Sequence, residues 1–215
     1  ETFSYVQCAN DMKKLKSELE WLKEADSTAL QSSLKDLDMA FQKFFKEHSG
    51  FPKFKSKKTH RFSYKSKCVN GNIQYYNRYI KLPKLGMIKT KNKLIPQGRI
   101  WNAAVSQKPG GKYYVSLCCT DIDIKPLEKT DNNIGIDLGI KEFCIDSNGN
   151  KTENPKYLKK SLHKLAKLQK ELSRKTKNSS NHNKARVKVA RLQEYIANQR
   201  KDFLQKLSAK IIKNN

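Results

Sequence analysis

Acidic residues are scarce in this chain: 20 Asp and Glu stand against 45 Lys and Arg, a formal net charge of +25 over 215 residues. Self-repulsion at that charge costs stability unless a polyanion neutralises it, which makes nucleic acid the leading partner. Long hydrophobic runs are missing too. No stretch of ~18 apolar residues exists, which excludes a transmembrane helix. No charged segment leading into an apolar core and a small-residue site opens the chain, so no signal-peptide pattern is visible. An anionic membrane surface would call for an amphipathic helix with a bare apolar face or a lipid anchor, and neither is evident, so no membrane partner is expected. The five cysteines are odd in number, lack CxxC spacing, and two are adjacent in an apolar run. They read as buried thiols in a reducing cytoplasm, and no zinc site is expected from this chain alone. Apolar residues are 37% of the chain, below the usual ~45–50%. Even so, 20 Trp, Tyr and Phe and clear periodic patterns argue against a wholly disordered chain. The length suits one large domain or two small ones, at roughly 150 residues per domain. The chain opens on Glu1 and stops at Asn215 within a helical pattern, which reads as a fragment.

The charge is unevenly spread. Residues 1–50 carry a net −2, residues 51–130 a net +15, residues 131–150 a net −3 and residues 151–215 a net +15. In the first block Met12, Leu15, Leu19 and Leu22 form one stripe, and Leu30, Leu34, Leu37, Phe41 and Phe44/Phe45 a second. Spacings of three and four place each set on one helix face. Asp26 or Ser27 suits the N-cap of the second helix, and Gly50 the left-handed position after it.

From Phe51 the pattern changes. FPKFKSKK is basic, and Pro52 opposes a helix. Short alternating runs follow at His60–Lys67, Asn72–Tyr76, Tyr79–Leu82, Met87–Lys91, Gly98–Ser106 and Tyr113–Thr120, punctuated by Gly and Pro. Pro109-Gly110-Gly111 is a hairpin signal. These runs predict a compact antiparallel β-barrel or curled sheet. Cations interleave with aromatics here, an arrangement in which charges meet phosphates and rings stack on unpaired bases. The candidate nucleic-acid contacts are Lys53, Lys55, Lys57, Lys58, Arg61, Tyr64, Lys65 and Arg78. The competing reading is a sheet with core aromatics and solvated lysines.

Residues 133–153 predict short strands, and residues 156–213 two long amphipathic helices in an antiparallel hairpin. Leu158, Leu162, Leu165, Leu168 and Leu172 mark the inner stripe of the first helix. Ala185, Val189, Leu192, Ile196, Phe203, Leu207 and Ile211 mark that of the second. Between residues 159 and 191, 12 cations occur with only Glu171 for an acid, unlike the mixed-sign surface of an ordinary helix pair. Lys159, Lys164, Lys167, Arg174, Lys175, Lys177, Lys184 and Arg186 are the candidate phosphate contacts of this arm.

Within the acidic island lies IGIDLG. An Asp amid apolar neighbours is costly unless satisfied, and the neighbours suggest a strand buried on both faces. A carboxylate presented from such a strand in a basic protein suits Mg²⁺ or Mn²⁺, the ions of two-metal phosphodiester hydrolysis. One Asp cannot hold two metals. Glu142 and Asp146 are near in sequence, and Asp146 has an ordinary explanation in the turn that follows it.

Together, GIDLG with a second strand, NPK, LSRK and the ANQRKDFLQKLS helix resemble, in order, the TnpB (OrfB) family of insertion-sequence proteins. Upstream, ALQSSLKDLDMAFQKFF, GFPKFKSKK and IKLPKLGMIK fit the same family. The resemblance implies an RNA-guided DNA endonuclease related to compact type V CRISPR effectors, with guide RNA and target DNA as partners. Pairing then reads sequence, and the protein reads shape and a short flanking motif. It implies a multidomain α+β fold. Residues 1–50 would be a helical recognition segment, residues 51–130 an incomplete β-barrel wedge domain, and residues 131–215 the first part of a RuvC-like nuclease domain of RNase H fold. Asp137 would be the first catalytic, metal-binding carboxylate, serving a Mg²⁺ or Mn²⁺ pair. The family's catalytic Glu, four-cysteine zinc module and final catalytic Asp would lie beyond Asn215, so the chain alone is expected to be inactive, with zinc only in that further part. The localisation implied is bacterial or archaeal cytoplasm, at the nucleoid when bound. Two alternatives stay open: a nuclease-dead RNA-guided DNA-binding repressor, and a general basic nucleic-acid-binding protein. A tyrosine-nucleophile transposase is disfavoured, because Tyr75, Tyr76, Tyr113 and Tyr114 have no neighbouring His pair.

Overall fold

The computed structural model describes residues 4–54, 56, 62–92, 95–128, 130 and 132–214. The chain divides into two compact units, Glu1–Lys108 with Lys112–Asp123 in the first, and Pro109–Gly111 with Ile124–Asn215 in the second.

The first unit opens with α1 (Tyr5–Glu18), a short 3-10 turn (Glu20–Lys23) and α2 (Ser27–Glu47). Asp26 caps α2, its Oδ1 accepting from the Thr28 backbone N–H at 3.1 Å. The left-handed residue at the helix exit is His48 (φ 51°) rather than Gly50, because the backbone N–H groups of His48 and Ser49 both return to the Lys43 carbonyl and close the last turn early. Phe51 then folds back on that turn, edge-on to Phe41 and Phe44 at centroid distances of 5.7 and 5.3 Å.

Six strands follow, close to the predicted runs: β1 (Ser63–Lys67), β2 (Gln74–Tyr76), β3 (Tyr79–Leu82), β4 (Gly86–Lys89), β5 (Arg99–Gln107) and β6 (Tyr113–Thr120). They do not close into the expected barrel. Among the described residues they form two three-stranded antiparallel sheets, ordered β1-β5-β6 and β2-β3-β4. The turns explain the second sheet. Asn77 (φ 44°) and Arg78 (φ 67°) make a two-residue turn with both φ positive, the type that matches strand twist, and β3 returns directly into β4. That leaves a tight meander whose edges pair with no strand of the first sheet. The two sheets meet instead through a core of Ile73, Ile80, Leu82 and Ala103, flanked by Tyr75, Ile100, Val105, Val115 and Leu117.

The second unit contains β7 (Ile136–Leu138), β8 (Glu142–Asp146) and β9 (Lys151–Glu153), then α3 (Tyr157–Ser173) and α4 (Ser180–Asn214). The helices form the predicted hairpin, with Leu165, Val189 and Ile196 buried. Ser179 caps α4, its Oγ accepting from the His182 N–H at 3.1 Å, so the connection is shorter than the polar stretch suggests. Leu158 and Leu162, at the start of α3, stay exposed; the described part of α4 does not cover the whole leucine stripe. Phe203 of α4 packs edge-on to Phe143 of β8 at 5.1 Å and lies 6.3 Å from Tyr157, which ties the sheet to the hairpin.

Candidate functional site

Asp137 is the middle residue of β7, paired antiparallel with Ile145 of β8. The expected burial on both faces is not found. Among the described residues the sheet is an antiparallel meander ordered β7-β8-β9, so β7 is an edge strand. All three of its residues are exposed, as is the following Ile140, at 90%. The physical reason is plain. No element among the described residues packs over this edge, so the apolar neighbours that suggested burial lie open beside the carboxylate.

Gly139 follows β7 at a close approach of the backbone. A Cβ there would lie 2.9 Å from the Glu142 carbonyl oxygen, too close for any other residue, so glycine lets the chain turn tightly from β7 into β8. Asp137, Gly139, Ile140, Lys141, Glu142, Ile145 and Lys151 line one open recess of about 310 Å³. Glu142 is thus the carboxylate that shares this recess with Asp137. Asp146 sits at the other end of the pairing, opposite Ile136. Its oxygens accept from Asn148 N–H (3.0 Å), Asn150 N–H (2.8 Å) and Asn150 Nδ2 (2.9 Å). These bonds, the Asn150 side chain foremost, hold its carboxyl below the ordinary aspartate range. Asp146 is therefore a turn-forming residue, as its position before Ser147-Asn148-Gly149 implies.

The donor set near Asp137 does not complete a metal centre. A divalent pair needs several oxygen ligands. The recess offers two carboxylates at most, beside the ammonium groups of Lys141 and Lys151. Among the described residues no group of three His, Cys, Asp or Glu could hold a metal ion.

The candidate cations fall in both units. Lys53, Lys65 and Arg78 are exposed in the first, Arg78 at the tip of the β2–β3 turn. Tyr64 is half-buried, and its hydroxyl pKa is raised by burial and then by Asp26. Its ring therefore lies against protein on one side. Lys55, Lys57, Lys58 and Arg61 lie outside the described residues. In the second unit Lys159, Lys164, Lys167, Arg174, Lys175, Lys177, Lys184 and Arg186 are all exposed. Lys160, Lys164 and Lys167 share one stripe of α3, at spacings of four and three. The ion pairs resolved at Arg99–Asp121 and Lys206–Asp202 use none of these cations. No helix of the described residues is long and apolar enough to cross a membrane.

Sequence reasoning passed over one arrangement. Ser66 is fully buried, and its Oγ donates to Asp26 Oδ2 at 2.5 Å, while Thr28 Oγ1 lies 2.9 Å from Ser66 Oγ and accepts from the Lys67 N–H at 3.2 Å. This polar latch fastens the start of α2 to β1 across a sequence separation of 38 residues. Local periodicity carries no trace of it.

Comparison with known proteins fits this picture. The family model for OrfB of IS605, described as "Probable transposase", matches residues 116–215. The chain is 36% identical over 200 residues to the "Putative RNA-guided DNA endonuclease InsQ" of Escherichia coli strain K12, covering 93% of this chain and 49% of that protein. It is also 36% identical over 217 residues to a "Putative RNA-guided DNA endonuclease" of Streptomyces pristinaespiralis, covering 99% of this chain and 53% of that protein. The chain thus spans about half the length of the curated relatives it matches. With the ordered motifs running from the α2 stripe to the ANQRKDFLQKLS segment of α4, the chain belongs to the TnpB (OrfB) family of insertion-sequence proteins.

Proposed function

We propose that this chain is the nucleic-acid-binding portion of a transposon-encoded RNA-guided DNA endonuclease, carrying one of its catalytic carboxylates, Asp137. Guide RNA and target DNA are the polyanions that neutralise its charge. The first unit supplies recognition-helix and wedge-type contacts, and the second the start of a RuvC-like nuclease domain. In the whole protein Asp137 would be one ligand of Mg²⁺ or Mn²⁺ ions, which would supply the activation of water for phosphodiester hydrolysis, and further carboxylates from outside these 215 residues would have to complete the site. The observation that carries this reading is the uncompensated charge of the α3–α4 arm that follows the Asp137 strand, in a chain matched over nearly its full length by relatives named as such endonucleases.

The chain by itself should bind but not cut. Incubated with guide RNA and labelled target duplex in Mg²⁺ or Mn²⁺, it is expected to hold RNA with an affinity that falls steeply with salt. For roughly 6–10 phosphate contacts the loss is about 10³–10⁵-fold between ~50 and ~200 mM. No cleavage product should form. Salt-insensitive binding would contradict the polyanion reading. Cleavage by the chain alone would show that Asp137 needs no carboxylates from elsewhere.

A further inference from the structure

Three aromatic rings of the second unit come together beside the start of α3. Phe203 of α4 meets Phe143 of β8 at 88° between ring planes and Tyr157 at 73°, so it stacks face to face on neither. The recess these rings border has a volume of about 290 Å³ and is walled mainly by apolar groups. Leu158 and Leu204 extend that wall and remain 45% and 49% exposed, which leaves it open to solvent. A recess at the lower end of ligand-pocket sizes suits one flat ring system.

The rim of the recess is cationic. Lys156, Lys159 and Arg200 line it, all three exposed, and no carboxylate among the described residues does. Neither ion pair resolved among the described residues uses them. Helix α3 also begins here on Lys156, which has no side-chain acceptor to cap the first-turn N–H groups, so the helix adds its positive end to the rim. The side-chain amide at the recess, Asn154, is already engaged. Its Nδ2 donates to the Ile140 carbonyl at 3.1 Å and its Oδ1 accepts from the Lys156 N–H at 3.1 Å. The recess therefore offers a ligand apolar ring contact with cations beside it. That is the complement of an unpaired nucleotide, whose base is flat and whose phosphates are anionic. With Asn154 engaged, no amide is left to read a base edge, and a contact made by stacking tolerates any base.

We infer that this recess seats one unpaired nucleotide of bound nucleic acid. Its base lies against Tyr157, Phe203 and the two leucines, and its flanking phosphates meet Lys156, Lys159 and Arg200. This rests on the nucleic-acid reading above and deepens it, by adding ring contact to an arm that otherwise offers charge alone.

The test compares the unsubstituted 215-residue chain with Tyr157→Phe, Tyr157→Leu and Arg200→Gln, each checked by thermal melting. Affinity is measured against salt for a short oligothymidylate and for an abasic strand of the same length. Tyr157→Leu is expected to bind oligothymidylate roughly 5-fold or more weakly with its salt slope unchanged, because a stacked base is lost and no phosphate contact is. It should bind the abasic strand as the unsubstituted chain does. Tyr157→Phe, which keeps the ring, should match the unsubstituted chain on both strands. Arg200→Gln is expected to weaken both strands several-fold and to flatten the log–log salt slope by about 0.7, the single-strand value for one phosphate. Arg200 is exposed, so that variant reads the seat even where Tyr157→Leu melts early. Equal losses on both strands for Tyr157→Leu, or unchanged affinity for oligothymidylate, overturn the seat, as does an unchanged slope for Arg200→Gln. If the unsubstituted chain binds neither strand, the nucleic-acid reading falls and the seat with it. If binding responds to substitution of Lys164 and Lys167 but not of Tyr157 or Arg200, only the seat falls.

Discussion

Asp137→Ala in the whole protein is expected to abolish target cleavage, with a rate loss on the order of 10³-fold or more, while guide RNA binding stays within about twofold. The site's geometry makes this a clean experiment. Asp137 is exposed on an edge strand and has no protein cation fixed to it as an ion pair among the described residues. Surface substitutions of this kind usually change stability by no more than about 0.5 kcal/mol, so lost activity cannot be blamed on unfolding. Nor does the carboxylate serve the turn chemistry that occupies Asp146. Single-turnover cleavage with preformed RNA complex measures the outcome. Retained cutting would remove Asp137 from the catalytic set and leave Glu142, which lines the same recess, as the carboxylate to test next.

The second large effect lies in the helical arm. Reversing three charges, Lys164→Glu, Lys167→Glu and Arg174→Glu, is expected to lower nucleic-acid affinity by roughly 10²-fold or more at low salt. The salt slope should flatten by about 3, one for each phosphate no longer neutralised. Lys164 and Lys167 share an exposed stripe, and Arg174 stands at the end of α3, so one strand of backbone can run past all three. The helices should survive the change, because the seam residues Leu165, Val189 and Ile196 are untouched. Placing Glu near the C-terminus of α3 costs only about 0.3–1 kcal/mol. An unchanged slope would make these lysines ordinary solvated side chains and leave phosphate binding to the first unit.

The helical arm and the Asp137 strand differ in how far local sequence determines them. The hairpin could be read from sequence because its leucines and isoleucines recur at three and four, and both the partner and the connection are local. The strands could be read because Gly and Pro punctuate them, and each boundary is set by nearby chemistry; the Asn77-Arg78 turn carries no such signal and is seen only in its two positive φ angles. Pairing was less legible. Whether six short strands close into a barrel depends on contacts far apart in sequence, and the β2-β3-β4 meander satisfies its own hydrogen bonds without the first sheet. His48 took the helix exit because backbone bonds to Lys43 closed the turn before Gly50 was reached. For Asp137, identity and position were legible but environment was not. Ile136, Leu138 and Ile140 read as the neighbours of a buried strand, and the described residues leave them open. The Asp26–Thr28–Ser66 latch was invisible for a simpler reason: it joins residues more than 30 positions apart that obey no shared period.

In the proposed function, bound RNA addresses a nuclease to which these 215 residues contribute binding surface and one carboxylate. This is tested most directly by giving the whole protein two guide RNAs that differ only in their target-pairing segment. Each complex is then offered a plasmid carrying both targets, each beside the same flanking motif. The account predicts one cut per complex, at the target its RNA matches, with the site exchanged when the RNAs are exchanged. A cut at a fixed position whichever RNA is bound, or cutting without RNA, would contradict it.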